Sequence, residues 1–590
     1  NGCSVGCSDK QEFRHGKLLR LTGREIEGVD DGWLCDRGRF NYQFVQSDDR
    51  VTTPLVRQNG NFAKATWQGA FEAVTTKVQA VKAAKGGKGF GVIGGGKLTN
   101  EEAYLLQKFA RLTLGTNNVD HRVSDQLVAS LAAYAGKQTD LSDASAILVL
   151  DTNPAETAPV MDLRIRRMAD RKKARIAVVG SQMPKYRGRH ARIQLKPGQV
   201  TAAVLAMAAV AAGKAATQSV VETEQLTRTV ELLTTGKKVV IVWGGNDAAT
   251  GRALLELCGA LKKLPSGTDT VGRSVHVLIP GAQNNSRGAD TMGVLPNTAP
   301  NFGSLADAKV RENLASVWNV KVIPAERGLT TGEMLQAAAG GEIEVLFLAG
   351  ANLLNTYPDR KLVAAALEKA FVVNLDLIGN ETVQASDVVL PVASIAEKTG
   401  TYTTLDGTVK AIKAAKKAEG SAQADGDILV ALSAALGVKL ANSPAETTAE
   451  ITKLVAKLEE GTVLTGAPAS LLPQADALQT PAGLVLVPVT KLYAGGSTAQ
   501  FDEGFNHVLP KAEAGFNPAD AATLGLKAGE QVELTANGAA LRLTVAIDKS
   551  VVPGTVQATR GLTAAPVGAL TAGTAPVAVT VAKLAVEVAD

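Results

Sequence analysis

Cysteine and aromatic residues are scarce in this 590-residue chain, and neither sign of charge is in marked excess. Four cysteines cannot build the disulfide framework of a small secreted domain, and such low use points to a cytoplasmic setting. The net charge of +5 comes from mixed signs and leaves no electrostatic footprint for nucleic acid. No run of about 18 uncharged apolar residues occurs, so hydropathy gives no membrane-spanning helix. The longest apolar candidate, Val200 to Gly213, is Ala-rich and reads as a buried helix. No secretory signal is visible at the N-terminus. Aromatics make up only 4%, while hydrophobic residues reach 45%, so the interior must be built from Ala, Val and other aliphatics. A chain of this length exceeds one core, and two to four domains are expected.

The cysteines that are present are unevenly placed. Three residues separate Cys3 from Cys7, and Cys35 follows after twenty-seven more, within Gly32-Trp33-Leu34-Cys35-Asp36-Arg37-Gly38-Arg39-Phe40. Thiolates are soft ligands, and four of them hold a four-iron four-sulfur cubane. Many such sites read Cys-x2-Cys-x3-Cys, a gap, then Cys. Cys3, Cys7 and Cys35 then take the second, third and fourth places, and the first falls just before Asn1. The chain opens Asn-Gly rather than Met, so the expectation is a sequence cut just inside the motif. The alternative is three thiols without metal. Cys258 sits on the apolar face of a helical stretch and reads as a core thiol.

Along the chain, residues 1 to about 52 read as a small strand-rich unit, with hairpin character from Gln11 to Thr22 around His15-Gly16-Lys17. Asn61 to Lys82 reads as a helix, with Trp67, Ala70, Phe71 and Val74 on one face. From Gly86 an alternating α/β pattern begins. Phe90-Gly91-Val92-Ile93 ends in three glycines, and Thr99 with Glu102 forms a capping box that opens a helix to Leu114. The glycine run lacks a full dinucleotide or phosphate-loop fingerprint and reads as a tight turn. Further short apolar strands are expected at Ala146 to Leu150, Ile176 to Val179, Val239 to Trp243 (before Gly244-Gly245-Asn246), His276 to Ile279, Val345 to Leu348 and Phe371 to Asn374. Strands alternating with helices predict doubly wound parallel sheets. Helices are expected at Asp427 to Leu436 and Ala449 to Leu458, and Gly461 to Gly483 reads as a linker. Beyond it, period-two alternation, the Asn537-Gly538 turn signal and a last strand-like stretch, Val577 to Val588, predict a C-terminal β-barrel or sandwich.

Seven stretches in order resemble the molybdopterin oxidoreductase superfamily. They are Gly32 to Phe40, Leu114 to Asp120, Thr152 to Thr157, and Asn284 to Ala289 with Gly293 to Pro296. Then come Glu381-Thr382 with Ala385 to Pro391, Glu397 to Tyr402, and Asn517 to Ala521 with Leu524-Gly525. The resemblance implies a multidomain α/β fold. Its units are a cluster domain over 1–52, a discontinuous α/β domain over 53–120 and 265–460, a second α/β domain over 121–264, and a β-barrel over 484–590.

Four departures set this chain apart from the catalytic members of that superfamily. After Asp120, where those members carry a cysteine, selenocysteine or sometimes a serine as molybdenum ligand, this chain reads His121-Arg122-Val123-Ser124-Asp125-Gln126-Leu127. Ser124 reads as a cap or a surface hydroxyl. Gly180-Ser181-Gln182 replaces the Asp-Pro-Arg that holds the guanine-dinucleotide cofactor. Leu195-Lys196-Pro197-Gly198-Gln199-Val200 stands where a Gly-Thr-Asp pattern is expected, and Arg37 where many members have Lys.

That combination is similar to the large iron–sulfur subunit family of the respiratory NADH-quinone oxidoreductase, complex I. The resemblance implies a cluster-bearing scaffold without molybdenum. A 4Fe-4S cluster would sit on Cys3, Cys7 and Cys35, with the other peripheral-arm subunits of complex I as partners on the cytoplasmic side of the membrane. Membrane contact would come only through that complex. NADH oxidation and quinone reduction would belong to other subunits. Arg37 or Arg39 would raise the cluster's potential, or else form a surface salt bridge. His121, Asn153 and Glu156 would line the strand ends where a pterin lies in catalytic relatives, without being catalytic. The basic run Arg187 to Arg192, with His190, reads as a solvated face or a contact with an acidic neighbour. The rival reading is a molybdenum or tungsten bis-pterin enzyme of the formate dehydrogenase type. A third is a binding protein that reuses the fold.

Overall fold

The strands Phe90–Gly94, Ala146–Leu150 and Val345–Ala349 are buried at every position. A strand without a polar face must be covered on both sides, which is the situation inside a parallel sheet flanked by helices. The computed structural model describes residues 2–122, 129–188, 190–216, 219–245, 247–266, 269–281, 283–466, 477–494 and 498–584. Asn1, Ser124, Arg189 and Asn246 lie outside the described residues, as do 467–476 of the expected linker and 585–588 of the expected last strand.

Two large sheets carry the architecture. The first has seven strands, in the order Asn61–Lys64, Leu55–Gln58, Val388–Pro391, Phe371–Asp376, Val345–Ala349, Phe90–Gly94, Val119–Asp120. Its pairs from Val388–Pro391 onward are parallel, and Leu55–Gln58 joins antiparallel at the other side. The second sheet is parallel throughout: Ser274–Leu278, Lys238–Trp243, Ala146–Leu150, Arg175–Gly180, His190–Gln194. At its edge, His190–Gln194 turns His190, Arg192 and Gln194 outward and buries Ala191 and Ile193. A closed six-stranded barrel follows, from Leu484–Val489 to Ala578–Lys583. At the N-terminus Asp9–Arg14 and Lys17–Gly23 form a hairpin whose turn residues, His15 and Gly16, both have positive φ.

Local signals explain most boundaries. The helix Trp67–Lys85 buries Ala70, Val74, Val78 and Val81 on one stripe, and the Thr66 side chain caps its start. The capping box of Thr99 and Glu102 is formed at the head of Asn100–Lys108. Val200–Ala211 is a buried helix, and Cys258 is fully buried in Ala248–Lys263 beside it.

Three expectations need correction. Asn61–Lys64 is a strand, not the start of a helix, because Asn59 and Gly60 adopt positive φ and fold it back on Leu55–Gln58. The strand Ser274–Leu278 pairs with Lys238–Trp243, so the second sheet extends past residue 264, where a return to the first is expected from the sequence. The helices expected at 427–436 and 449–458 run instead over Asp425–Ala435 and Pro444–Leu454. The second starts early because Ser443 caps it and Pro444 sits in its first turn.

Distant segments are joined by buried ions. Arg50 makes a two-pronged contact with Glu397, at 2.7 Å to each oxygen, with both side chains almost wholly buried. Lys398 lies between Glu102 at 2.7 Å and Asp425 at 3.2 Å. Lys108 and the Tyr104 hydroxyl both donate to Glu450, while Trp318 Nε1 donates to that hydroxyl. Removing one partner of such a pair strands a desolvated charge. Glu397→Ala is therefore expected to cost roughly 3–5 kcal/mol of stability, read as a lowered urea midpoint.

Two of these carboxylates give opposite pH responses. Burial raises the Glu397 carboxyl, but the Arg50 fork outweighs it and holds the group below its ordinary value. Its contribution is present above the usual carboxylate range and is lost as pH falls through the lowered value. Burial pushes Asp425 up to about 7, with Lys398 opposing and Glu102 reinforcing. An unfolded aspartate titrates at about 3.9, so between there and about 7 the native state holds a proton that the unfolded chain has lost. Stability should rise as pH drops from 8 to 6, by up to about 1.4 kcal/mol per unit. Asp425→Asn should flatten that slope in urea titrations at the two pH values.

Candidate metal centre

Asp30 organises the loop that returns Cys35 to the first two cysteines. It is 2% exposed, and it accepts from the backbone N–H of Ser8, Ile26 and Gly32, each at 2.9 Å. Cys35 caps the short helix Asp36–Phe40, and its Sγ accepts from Gly38 N at 3.4 Å. The stretch between Cys3 and Cys7 is pinned from the other side. Leu405 N donates to Ser4 O, Ser4 Oγ accepts from Gly281 N, and the Gln138 side chain donates to Val5 O.

Cys3, Cys7 and Cys35 thereby pack, half-buried, against one apolar cluster that includes Val5, Leu141, Val149, Leu278 and Leu405. They lie within electrostatic reach of one another. Burial pushes the Cys7 thiol up, and the neighbouring Cys3 and Cys35, then Asp30, push it further. Burial and then Cys3 raise Cys35 as well. Such thiols give up their protons when a cation binds between them. Among the described residues no three His, Cys, Asp or Glu side chains converge tightly enough for a single metal ion. Three soft sulfur donors on one apolar cluster are the donor type a four-iron cluster takes, and they supply three of its four ligands. Cys258 packs in a different core and takes no part.

Arg37 is buried, which rules out the surface salt bridge considered for it. Its guanidinium donates to the carbonyls of Gly2, Lys491, Leu492 and Ala494. Arg39 is only half-buried. The loop 491–494 is not legible in the sequence as part of this site, because no motif marks it and it lies more than 450 positions from Arg37. It is held in turn by Glu156, which accepts from Leu492 N at 2.7 Å, and by Asp36, which accepts from the Tyr493 hydroxyl.

The three residues expected along one crevice are used separately. His121 pairs with Asp290 at 2.8 Å. Burial raises Asp290, but His121, Arg122 and Arg287 outweigh it and hold the carboxyl low. Glu156 belongs to the loop 491–494, and Asn153 leads the helix Pro154–Thr157 with its Oδ1 buried and unpartnered. No hydrogen bond or ion pair among the described residues links the three. A different polar group lines a partly open pocket at the strand ends of the first sheet: Lys97, Asn284, Asp376, Lys398, Tyr402 and Asp425. His190 is exposed at the edge of the second sheet.

The turns at Gly180 and Gly198, within two of the stretches that depart from the family pattern, are both closed by the chain's own side chains. Gly180 has φ +142°, and a Cβ there would lie 2.6 Å from Asp151 Cα. The Asp151 carboxylate occupies the turn by accepting from Ser181 N and Oγ at 2.9 and 2.8 Å. A Cβ at Gly198 would meet Thr480 Oγ1 at 2.8 Å, and that hydroxyl donates to Pro197 O. No aspartate side chain fits at Gly180, and the turn around Gly198 is covered by the segment leading into the barrel.

Comparison with known proteins agrees with this architecture. Residues 50–435 match the molybdopterin oxidoreductase model, and 484–584 match the molydopterin dinucleotide binding domain. The chain is 31% identical to the G subunit of NADH-quinone oxidoreductase from Streptomyces coelicolor, over 92% of its own length and 65% of that protein's. It is 27% identical to the NADPH-Fe(3+) oxidoreductase subunit alpha of Geobacter sulfurreducens, over 94% of its length and 70% of that protein's. It is 29% identical to the F420-dependent formate dehydrogenase subunit alpha of Methanocaldococcus jannaschii, over 74% and 69%. Among solved structures, acetylene hydratase from Pelobacter acetylenicus superposes with a TM-score of 0.69 over 99% of both chains at 13% identity, a likeness of fold. The chain belongs to the molybdopterin oxidoreductase family.

Proposed function

We propose that this chain is the cluster-bearing, non-catalytic scaffold of a respiratory NADH-quinone oxidoreductase subunit in the peripheral arm. The observation that carries the reading is the filled turn at Gly180. Where catalytic relatives place an aspartate toward a guanine dinucleotide, no side chain fits here, and Asp151 has taken up the turn's hydrogen-bonding capacity. The likeness to the NADH-quinone oxidoreductase protein of Streptomyces coelicolor supports the same assignment.

Cys3, Cys7 and Cys35 would hold a 4Fe-4S cluster, leaving one iron for a ligand other than these three. When bound, such a cluster supplies one-electron transfer. The chain's own part is to desolvate the thiolates, to donate Gly38 N–H to Cys35 Sγ, and to keep a fixed positive charge beside them. NADH oxidation and quinone reduction fall to neighbouring subunits on this reading, with the chain on the cytoplasmic side of the membrane. No described helix is long and apolar enough to cross a membrane.

The formate dehydrogenase likeness keeps a molybdenum or tungsten enzyme as the competing outcome. Metal analysis with EPR on anaerobically purified full-length protein separates the two. The expected result is an iron quota that falls by about four per chain in Cys35→Ser, with loss of a reduced cubane signal. Cys258→Ser should leave that signal in place. Stoichiometric molybdenum or tungsten with bound pterin would sink the proposal.

A further inference from the structure

We propose that Arg37 is the fixed counter-charge of the cysteine site, and that the loop 491–494 locks it there, so that docking of this loop sets the potential of a cluster on Cys3, Cys7 and Cys35. The inference rests on the cluster reading and deepens it.

Arg37 carries a charge that its direct partners do not balance. The side chain lies in the interior, at 7% exposure. All of its hydrogen-bond acceptors are neutral: Nε to Leu492 O at 2.9 Å, Nη1 to Gly2 O at 3.2 Å, and Nη2 to Lys491 O, Leu492 O and Ala494 O at 2.5 to 3.1 Å. Carbonyls satisfy the donors but do not cancel the charge. Among the described residues no carboxylate forms an ion pair with it. A guanidinium does not release its proton, and a buried charge without a counter-ion is costly. The guanidinium reaches the first cysteine through the backbone, since the Gly2 carbonyl it binds directly precedes Cys3. Glu156 is engaged with Leu492 N at 2.7 Å and faces Lys491 at 3.6 Å. Arg37 stands two residues after Cys35, and the cysteines become negative neighbours of its guanidinium once a bound cluster takes their protons.

The geometry also says what holds the charge still. Three of the four accepting carbonyls belong to residues 491–494, directly after the barrel strand Leu484–Val489. The Tyr493 hydroxyl donates to Asp36, and its ring meets Phe505 edge-on at 5.7 Å. The barrel thus presents a nest of carbonyls into which the side chain next to the cysteine helix is clamped. One-electron reduction adds one negative charge to the cluster and its thiolates without making or breaking a bond. A fixed cation beside them favours that added charge.

The test is an EPR-monitored titration of the full-length protein with dithionite as reductant, on wild type, Arg37→Gln and Arg37→Lys. Arg37→Gln should retain its iron but reduce less readily by at least tenfold, a midpoint about 59 mV more negative. Arg37→Lys, which keeps the charge and loses the fork, should shift less. Tyr493→Phe, which frees the loop without changing a charge near neutral pH, should shift the midpoint in the same direction. An unchanged midpoint in Arg37→Gln with full iron content would overturn the proposal while leaving the cluster reading standing. Loss of iron from both Arg37 variants in folded protein would also overturn it, because Arg37 would then hold the cluster rather than set its potential. Absence of iron from wild type would instead remove the cluster reading itself.

Discussion

Lys398 cannot be buried alone. Its ammonium lies between Glu102 and Asp425, and these three residues come from the first turn of one helix, the approach to a small hairpin and the start of another helix. The apolar layers around them close only if the three segments arrive together. The same logic recurs at Arg50 with Glu397 and at Lys108 with Glu450. Hydrophobic burial supplies the drive to collapse, but it is indifferent to which helix covers which strand. Buried ions are not indifferent, because a wrong partner leaves a desolvated charge. In this protein they tie residues hundreds of positions apart to one arrangement.

That dependence separates what is legible in the sequence from what is not. Runs such as Ala146–Leu150 and Val345–Ala349 announce buried parallel strands by composition alone, and the capping box at Thr99 announces a helix by local chemistry. Asn537 and Gly538, both at positive φ, turn the strand Gln531–Ala536 into its partner as their types suggest. Asn61–Lys64 misleads because the next helix lends its periodicity to residues that a two-residue turn folds back. Ser274–Leu278 misleads because sheet membership depends on a neighbour, not on the strand's own pattern. The site divides in the same way. The cysteines stand out by spacing, but the partners of Arg37 and Glu156 lie in a loop without a motif, and only the folded chain brings them together.

Stability comes from the layers of a fold and function from the sites set on them. Two turns here are closed by the chain's own side chains. At Gly180 the turn is closed by an aspartate on the neighbouring strand end, and at Gly198 by a threonine from the run leading into the barrel. Neither turn interrupts the strand that precedes it. Arg175 to Val179 pair in register with Ala146 to Leu150, and Ile176 to Gly180 with His190 to Gln194.

The barrel and the second sheet treat their strand edges differently. Among the described residues the barrel closes on itself and leaves no free strand edge. The second sheet ends at His190–Gln194, which offers such a row on its open side. The outward side chains there are an imidazole, a guanidinium and an amide, and Gln225 already donates to the carbonyl of Arg192. Two copies meeting edge to edge would bring like charges face to face and find one acceptor already taken. The strand can therefore finish a sheet without becoming the seed of a fibre.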